Sequence, residues 1–363
     1  MQTQKRRTEE TAVTPLLSRT LAPLGLGLAA LLNTAPVRAE TLDELYEKAK
    51  PEKTLVLFAA GPTEPHERFA KEFQQRFPGL TVAVTGGFSN VLNDTINRQL
   101  RDKAVAVDMA FFQTVQDFIG WKGQGALLSF KPDGFDAIPP RYRDEDGAYV
   151  TTHVNTITYA YNTKLAGPED APHSALDFLK PVFHGKLITV YPADDDATLY
   201  LFHTIVEKYG WGYMDKYMAA KPTFIQGHLG VARSVATGES AATFDASSSA
   251  WRYKRDGAPI EVVFSAMDDT PVFTVSAGIF RDAPHPNVAK LYLTWYLAKE
   301  QQSRTGVFSP RTDVPPPAGL KPLSEYRLAN DYRDFVSDTA RLVALRQRFE
   351  AYTGPVVNKG GVR

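Results

Sequence analysis

Short apolar runs alternate with helical segments along residues 54–121, and this alternation restricts the possible folds more than any other feature of the chain. The runs are TLVLFAA (54–60), LTVAV (80–84) and VDMAFF (107–112), each rich in residues that favour strands. A segment whose apolar residues have helical spacing follows each run. Strands and helices that alternate in this way form parallel βαβ units. The sequence therefore predicts an α/β protein.

The alternation of strand runs and helical segments is interrupted once, after residue 148, and then resumes. YVTTHVNTITYAYN (149–162) alternates with a period of two, which predicts one long strand that crosses between two lobes. The βα alternation resumes over residues 186–264, and PVFTVSAGIF (271–280) predicts a strand that returns to the first lobe. An amphipathic helix is predicted over 286–302, and a last charged helix around 331–350. Two α/β lobes joined by two crossing strands would leave a cleft that can close on a ligand.

The first forty residues have the order of a secretory signal peptide. KRR (5–7) precedes the apolar run LAPLGLGLAALL (21–32), which is too short to span a bilayer as a stable helix. PVRAE (36–40) then places small residues at Val37 and Ala39. We expect cleavage after Ala39 and a periplasmic mature protein; a disordered or mitochondrial-type leader is the alternative.

Composition excludes several classes of function. Lys+Arg 41 balances Asp+Glu 41, whereas a nucleic-acid-binding protein normally carries a basic excess. The chain has no cysteine, so disulfides, thiolate metal sites and a cysteine nucleophile are excluded. We expect no nucleic-acid partner and no cofactor.

Several segments in order resemble one known family. These segments are LYEKAK (45–50), SNVLNDTINRQL (89–100), YNTKL (161–165), GVARSVATGES (230–240) and APHPNVAKLYLTWYLAKEQQ (283–302). With the exported leader, they resemble the solute-binding proteins of bacterial ABC importers. The resemblance is to the type 2 periplasmic binding proteins related to the ferric-iron-binding proteins, and it runs from about residue 42 to about residue 325.

The resemblance implies an α/β, two-lobed type 2 periplasmic-binding-protein-like fold with mixed sheets and two hinge strands. It also implies a small-molecule solute in an interlobe cleft and a membrane permease as partner; a chemoreceptor partner stays open, and we expect a monomer. The implied domains are a signal peptide (1–39), the first part of lobe 1 (40–152), lobe 2 (153–270), and a return hinge strand with C-terminal helices that pack on lobe 1 (271–363).

Candidate ligand-binding residues follow the predicted strands, because ligands of open α/β sheets lie beyond the carboxyl ends of the strands. From the first lobe and its crossing strand these are Gly61, Thr63, Glu64, Gly87, Ser89, Asn90, Gln113, Thr114 and His153. From the second lobe they are Tyr191, Asp195, Asp196, His228, Asp245, Ser247 and Ser248. Arg311 follows the long C-terminal helix and could clamp an anionic group.

Some of these residues have an alternative structural role. Thr63, Ser89 and Asp194 could act only as helix caps. The three aspartates that begin at Asp194 suit the start of a helix, where consecutive side chains point in different directions and cannot all reach one metal ion. We therefore expect no metal there. The guanidinium of Arg311 could form a salt bridge with Asp313 instead of binding a ligand.

The resemblance leaves the identity of the solute open. In the iron-binding branch, adjacent tyrosines that ligate the metal follow the strand equivalent to 240–246, but here the stretch is DASSSAW (245–251) and the next tyrosine is Tyr253. The acidic ligand of that branch corresponds to Gln113 or Thr114. Ferric iron prefers anionic oxygen ligands. We expect a small polar or anionic organic solute, with ferric iron as the alternative.

An enzyme is the third hypothesis. Ser247 or Ser248, with His228 and Asp245, supplies the residue types of an exported serine hydrolase. However, Asp245 and Ser247 are too close in the chain to lie naturally on opposite sides of one imidazole. We therefore predict binding without catalysis.

Overall fold

The computed structural model describes residues 39–357, so the predicted signal peptide up to Arg38 lies outside the described part. The helices are α1 (Leu42–Ala49), α2 (Thr63–Arg76), α3 (Ser89–Arg101), α4 (Val115–Gly123), α5 (Asp196–Tyr209), α6 (Gly212–Ala219), α7 (His228–Thr237), α8 (Ser248–Arg255), α9 (Pro286–Leu297), α10 (Lys299–Gln302), α11 (Tyr332–Ser337) and α12 (Thr339–Thr353). The strands are β1 (Thr54–Ala60), β2 (Thr81–Gly87), β3 (Met109–Phe112), β4 (Val150–Thr156), β5 (Thr158–Asn162), β6 (Ile188–Val190), β7 (Thr223–Ile225), β8 (Ala242–Ala246), β9 (Ile260–Val263), β10 (Thr270–Ile279) and β11 (Leu328–Ala329). Short 3-10 helices cover Phe135–Ala137, Pro140–Tyr142, Pro168–Asp170, Ala175–Leu179, Pro181–Phe183 and Leu323–Glu325.

The first lobe is built on a six-stranded mixed sheet with the order β11-β10-β3-β1-β2, and β4 pairs with β10. β1 is parallel to both β2 and β3, which confirms the βαβ units expected from the sequence. β10 is antiparallel to β3 and to β4. We call this sheet and the helices α1 to α4, α9 and α10 the large-sheet lobe. β2 is its edge strand, and three of its 7 residues are exposed and none is fully buried.

The second lobe contains two smaller sheets. β8, β5 and β9 form an antiparallel sheet in that order, and β6 pairs with β7 in parallel. The helices α5 to α8 alternate with these strands. We call this group, residues 158–263, the small-sheet lobe. Its helices α6 and α8 had not been predicted from the sequence.

The long strand predicted over 149–162 is broken at Ile157. β4 pairs with β10 in the large sheet, whereas β5 pairs with β8 and β9 in a different sheet. The N–H of Ile157 donates to the Pro271 carbonyl at 2.9 Å, which fixes the break beside the returning strand. The chain therefore crosses between the lobes here and returns before β10, so the two hinge strands are present.

The C-terminal helices differ from the prediction in two ways. The helix expected over 286–302 ends at Leu297 because Ala298 has extended backbone (φ −59°, ψ 144°), and α10 follows it. α11 packs against α4 and β10, but α12 packs against α5 and α6 of the small-sheet lobe. The C-terminal segment thus contacts both lobes, although the prediction placed it on the first lobe only. Between residues 39 and 357, none of the helices is both long enough and apolar enough to span a bilayer.

Candidate functional site

The starts of α2 and α3 are tied together where β1 and β2 end. The N–H of Gly61 donates to the Gly87 carbonyl at 2.8 Å, and the N–H of Gly86 donates to the Thr63 hydroxyl at 3.2 Å. Thr63 is therefore not the N-cap of α2, which is Pro62. Two predicted neighbours, Glu64 and Asn90, are exposed on this rim.

The start of α5 is capped by Asp195, not by Asp194 as predicted. Its Oδ1 accepts from the N–H of Thr198 at 2.9 Å. The same carboxylate lies 3.3 Å from Nε2 of His228, the first residue of α7. Burial alone would raise the pKa of Asp195, but the charge of His228 and hydrogen bonds that include those from Thr198 and Gln113 hold it at about 2.

His228 lies between two carboxylates. Its Nε2 faces Asp195 and its Nδ1 lies 3.3 Å from Oδ1 of Asp245, while its ring stacks on Phe273 with centroids 6.1 Å apart. Burial opposes a charge on the imidazole, but Asp245 and Asp195 outweigh it and raise the pKa of His228 well above its ordinary value. We therefore assign a protonated imidazolium at neutral pH.

Asp245 is fully buried inside the small-sheet lobe. Its Oδ2 accepts from the Thr189 hydroxyl at 3.0 Å, the Val190 N–H at 3.0 Å and the Thr198 hydroxyl at 3.2 Å. These bonds join β6, α5 and β8. Asp245 was predicted as a ligand-binding residue, but here it holds the framework of the site and offers no exposed oxygen to a solute.

Two side-chain hydrogen bonds cross between the lobes at the helix starts. Nε2 of Gln113 donates to Oδ2 of Asp195 at 2.7 Å, and Nε2 of Gln116 donates to Oδ2 of Asp196 at 2.6 Å. The stacking of His228 on Phe273 of β10 also joins the lobes, and Gly227 lies close enough to Phe88 that an added Cβ would be 3.9 Å from that ring. Both amides come from the start of α4, and both aspartates from the start of α5. The lobes therefore meet at the ends of helices, as the sequence pattern predicted.

Asp196 also binds the C-terminal helix. Its Oδ1 accepts a charged hydrogen bond from Arg346 of α12. Burial raises the pKa of Asp196, and Asp195 adds to this effect, while Arg346 and Gln116 act against it. Asp196 thus links the large-sheet lobe, the small-sheet lobe and the C-terminal segment.

Hydroxyl groups without partners lie at two of these helix starts. Oγ of Ser89 is buried and has no hydrogen-bond partner among residues 39–357. Ser247 is the N-cap of α8, yet its hydroxyl caps nothing, and Ser248 begins that helix. The first N–H groups of any helix also lack partners within the helix. These serines and amides are free to bind an oxygen-bearing ligand.

Other predicted residues are already engaged. The Thr114 hydroxyl donates to Asp117, and Tyr191 is buried with its ring 5.5 Å from that of Phe224. Arg311 donates to both oxygens of Asp313, at 2.8 and 2.9 Å, and to the Leu297 carbonyl at 3.0 Å. The alternative role of Arg311, a salt bridge with Asp313, is therefore the one that the structure shows. Arg311 is not available to bind a ligand.

His153 lies on hinge strand β4, as predicted. Its Nδ1 is 3.2 Å from the Thr152 hydroxyl. Burial, with a smaller contribution from His66, lowers the pKa of His153 to about 3. His66 is half-buried beside the end of β1, where its Nε2 lies 2.8 Å from the Ala60 carbonyl, and desolvation also lowers its pKa. Both imidazoles are therefore neutral at neutral pH.

Sequence reasoning missed Phe88, Gln116 and Arg346. Gln116 carried a usable signal, because it lies three residues after Gln113 on the same helical start. Phe88 lies between the predicted residues Gly87 and Ser89, so its place at the site could also have been predicted from the sequence. Arg346 carried no such signal, since its partner lies 150 residues away in the chain.

Within residues 39–357, no group of three or more His, Asp or Glu side chains is arranged to hold a metal ion. Of four cavities within the described part of the chain, one has Arg311 in its lining, and the linings of the other three contain no residue of the predicted ligand-binding set.

The family model for bacterial extracellular solute-binding proteins matches residues 68–326. The chain belongs to this family. The match covers both hinge strands and the starts of α3, α4, α5, α7 and α8, but not the start of α2. No curated protein was found to match the sequence.

Solved structures agree on the fold at low sequence identity. The chain is similar to the periplasmic binding protein AfuA from Actinobacillus pleuropneumoniae, with bound fructose-6-phosphate (18% identity, TM-score 0.71, covering 83% of this chain and 99% of that one). It is similar to iron-bound HitA from Pseudomonas aeruginosa (17%, 0.66, 82% and 99%). It is also similar to the substrate-binding protein of an ABC transporter from Agrobacterium tumefaciens (15%, 0.69, 83% and 94%). The type 2 periplasmic-binding-protein fold is thereby confirmed.

Proposed function

We propose that this solute-binding protein captures a small polar or anionic solute between its two lobes and delivers it to the permease of an ABC importer. The family supports the binding role, and the similarity to an ABC transporter subunit supports the transporter partner. The same proposal places the mature protein in the periplasm as a monomer, without a cofactor.

The observation that carries the proposal is the meeting of helix starts from both lobes. Gln113 and Gln116 of the large-sheet lobe bind Asp195 and Asp196 of the small-sheet lobe. Serine hydroxyls that have no partner among the described residues lie at the start of α3 in the large-sheet lobe and at the start of α8 in the small-sheet lobe. Helix N-termini attract anionic and other acceptor oxygens through their free N–H groups and dipoles. A solute held there would contact both lobes and favour closure.

Binding without catalysis fits the geometry of His228. A serine hydrolase needs one ring nitrogen on the acid and the other on the serine. Here both nitrogens face carboxylates, Asp195 and Asp245, and the raised pKa keeps the ring protonated. No nitrogen is left to accept the proton of Ser247 or Ser248. This arrangement argues against His228 as the general base of a serine hydrolase.

Ferric iron is the weaker alternative within the same fold. HitA was solved with iron bound, so the fold accepts it. In this chain serines stand after β8, and the described residues offer no cluster of His, Asp or Glu for a metal. Hydroxyl and amide groups are poor ligands for a hard trivalent cation. An organic solute suits these groups better.

The proposal is tested by a thermal-shift screen of the purified mature protein with sugar phosphates, carboxylates, neutral sugars and ferric iron. A ligand that binds the native state alone raises the melting temperature by mass action. We expect a shift from an oxygen-rich organic solute. The variants Ser89→Ala and Ser247→Ala should each weaken its binding about tenfold, as expected when one hydrogen bond to a charged or polar ligand is lost.

Ser303→Ala is the matched control, because Ser303 is exposed on α10 and its hydroxyl donates only to the Lys299 carbonyl. It should leave solute affinity unchanged. A shift produced by ferric iron alone would refute the organic solute. Affinity that is insensitive to both serine variants would refute the proposed site.

A further inference from the structure

A cavity lies beside the hinge, lined by residues other than the predicted ligand-binding residues. It has a volume of about 460 Å³ and is bounded by Thr151 of β4, Thr274 of β10, the start of α4 at Val115, and the start of α11. Ligand-binding cavities of proteins typically begin at about 300 Å³. None of its lining residues belongs to the predicted site. Its size and its separate lining make it a candidate for another ligand.

Two arginines at this cavity form no ion pair with any residue that the structure describes. Arg141 is exposed, and its guanidinium lies 6.0 Å from the ring centre of Tyr142. Arg333 lies 5.6 Å over the ring of Tyr149, although aspartates flank it two positions before and one position after in the chain. An arginine that stacks on a ring keeps its in-plane N–H groups available for a carboxylate.

Hydroxyl groups line the same space. Thr151 and Thr274 are buried residues, and neither hydroxyl has a hydrogen-bond partner within residues 39–357. The hydroxyl oxygen of Tyr332 is itself buried and has no partner among the described residues. Buried polar groups in folded proteins are rarely left without a partner. The Tyr332 hydroxyl, with the two threonine hydroxyls beside it, therefore indicates a ligand that supplies acceptors.

The cavity also contains acceptors. Asp331 and Asp334 line it, and Asp331 accepts from the Tyr200 hydroxyl on one oxygen. A ligand that carried only negative charge would meet repulsion from these two carboxylates. A ligand with an anionic group and its own O–H or N–H donors would satisfy both sets of groups.

We propose that this hinge cavity binds a small hydroxy or amino acid, with its carboxylate on Arg141 and Arg333 and its donors on Asp331 or Asp334. β4 and β10 are the two hinge strands, so the ligand would contact both strands that must bend when the lobes move. This inference goes beyond the proposed function, because it concerns a different cavity from the interlobe site.

The test is isothermal titration calorimetry of the mature protein with L-malate, and with succinate as a dicarboxylate that lacks the hydroxyl donor. We expect malate to bind more tightly than succinate. Arg141→Gln and Arg333→Gln should each weaken malate binding at least about tenfold, because each removes a charged hydrogen bond. Thr151→Val should weaken it to a smaller extent.

Two controls separate this cavity from other sites. Arg348 of α12 has its guanidinium 3.5 Å from the ring centre of Trp211. Arg348→Gln removes this guanidinium and should leave malate binding unchanged. Ser247→Ala, in the interlobe site, removes a hydroxyl that caps nothing and should also leave malate binding unchanged. Melting temperatures of all variants check that they are folded. Absence of malate binding, or equal affinity in the wild type and both arginine variants, would overturn the inference, and loss of binding in Ser247→Ala would assign malate to the interlobe site instead.

Discussion

At the scale of single residues, His228 is the charged centre of the small-sheet side of the site. Its imidazolium balances Asp195 and Asp245, and Asp245 is fully buried. His228→Gln would keep a polar side chain but remove the positive charge. We expect it to lower the free energy of unfolding at pH 7 by about 3 kcal/mol, because a buried carboxylate is left without its counterion. Urea unfolding measures the loss.

The exposed histidine His184 provides the control for this prediction. His184→Gln should change the free energy of unfolding by less than about 0.5 kcal/mol. If His228→Gln were equally mild, the imidazole would not be charged in the folded protein, and the argument against a general base would fail with it.

His153 gives the residue-scale prediction for pH. Burial lowers its pKa to about 3, below the ordinary value of 6.5, so the unfolded chain binds this proton more readily than the folded chain between those values. Stability should therefore fall as the pH drops below about 6.5, by about 1.4 kcal/mol per pH unit while this group dominates. His153→Gln should flatten that dependence, measured by urea unfolding from pH 7 to pH 4. A wild-type slope retained in the variant would contradict the prediction, and His184→Gln should retain it.

Some residues of the candidate site could be predicted from the sequence, and others could not. Gln113, Asp195 and His228 could be predicted because each stands where a strand run gives way to a helix start. Their mutual contacts could not, since Gln113 and Asp195 are 82 residues apart. The strand pattern also does not predict whether Asp245 faces a solute or the interior of the lobe. Its hydrogen bonds to β6 and α5 show that it faces the interior.

At the scale of secondary structure, the first lobe depends on a close approach between β2 and the start of α2. A Cβ on Gly86 would lie 2.6 Å from the Thr63 nitrogen and 2.7 Å from the Gly61 carbonyl oxygen, both backbone atoms. Backbone atoms cannot move aside as a flexible side chain can. We expect Gly86→Ala to cost about 2 kcal/mol in the free energy of unfolding, within the range for overpacking.

Gly123→Ala is the matched substitution, because nothing lies within 4 Å of the Cβ it would add and Gly123 ends helix α4. It should be neutral, or stabilise by up to about 1 kcal/mol, since alanine favours a helix more than glycine does. Guanidinium unfolding curves of both variants test the pair. A neutral Gly86→Ala would show that α2 can shift away from β2.

The hydrophobic pattern of the sequence predicted whether a segment is a helix or a strand better than it predicted where that helix or strand ends. The runs at 54–60 and 271–280 correspond closely to β1 and β10. The run at 149–162 was read as one strand because its alternation continues through Ile157, and the break comes from pairing with two different sheets. Similarly, nothing local in the run 286–302 marks Ala298 as extended. Both errors arise because tertiary pairing decides where an element stops.

At the scale of the whole molecule, the two lobes and the C-terminal segment meet at α5. Gln113 and Gln116 hold its first residues from the large-sheet lobe, and Arg346 holds Asp196 from α12. The two-lobed fold followed from the sequence, but this junction did not, because it joins segments 80 and 150 residues apart. The hydrogen bonds of this junction stabilise the closed arrangement of the lobes even without a solute, and a bound solute would add further contacts.

This junction predicts how closure responds to mutation. The double variant Gln113→Ala, Gln116→Ala removes both amide donors and leaves Asp195 with His228 and Asp196 with Arg346. Each hydrogen bond to a charged group contributes about 1.5 kcal/mol. We expect the open population to rise by at least about tenfold, with a larger radius of gyration in small-angle X-ray scattering of the solute-free protein.

Solute affinity should fall in the same variant, because the competent closed state becomes less populated and the apparent affinity falls with it. Saturating solute should restore the wild-type radius, since the solute contacts both lobes and supplies closing free energy. Gln124→Ala, at the exposed opposite end of α4, should change neither quantity. An unchanged radius together with unchanged affinity would mean that these amides do not hold the lobes together, and that the solute alone sets the closed state.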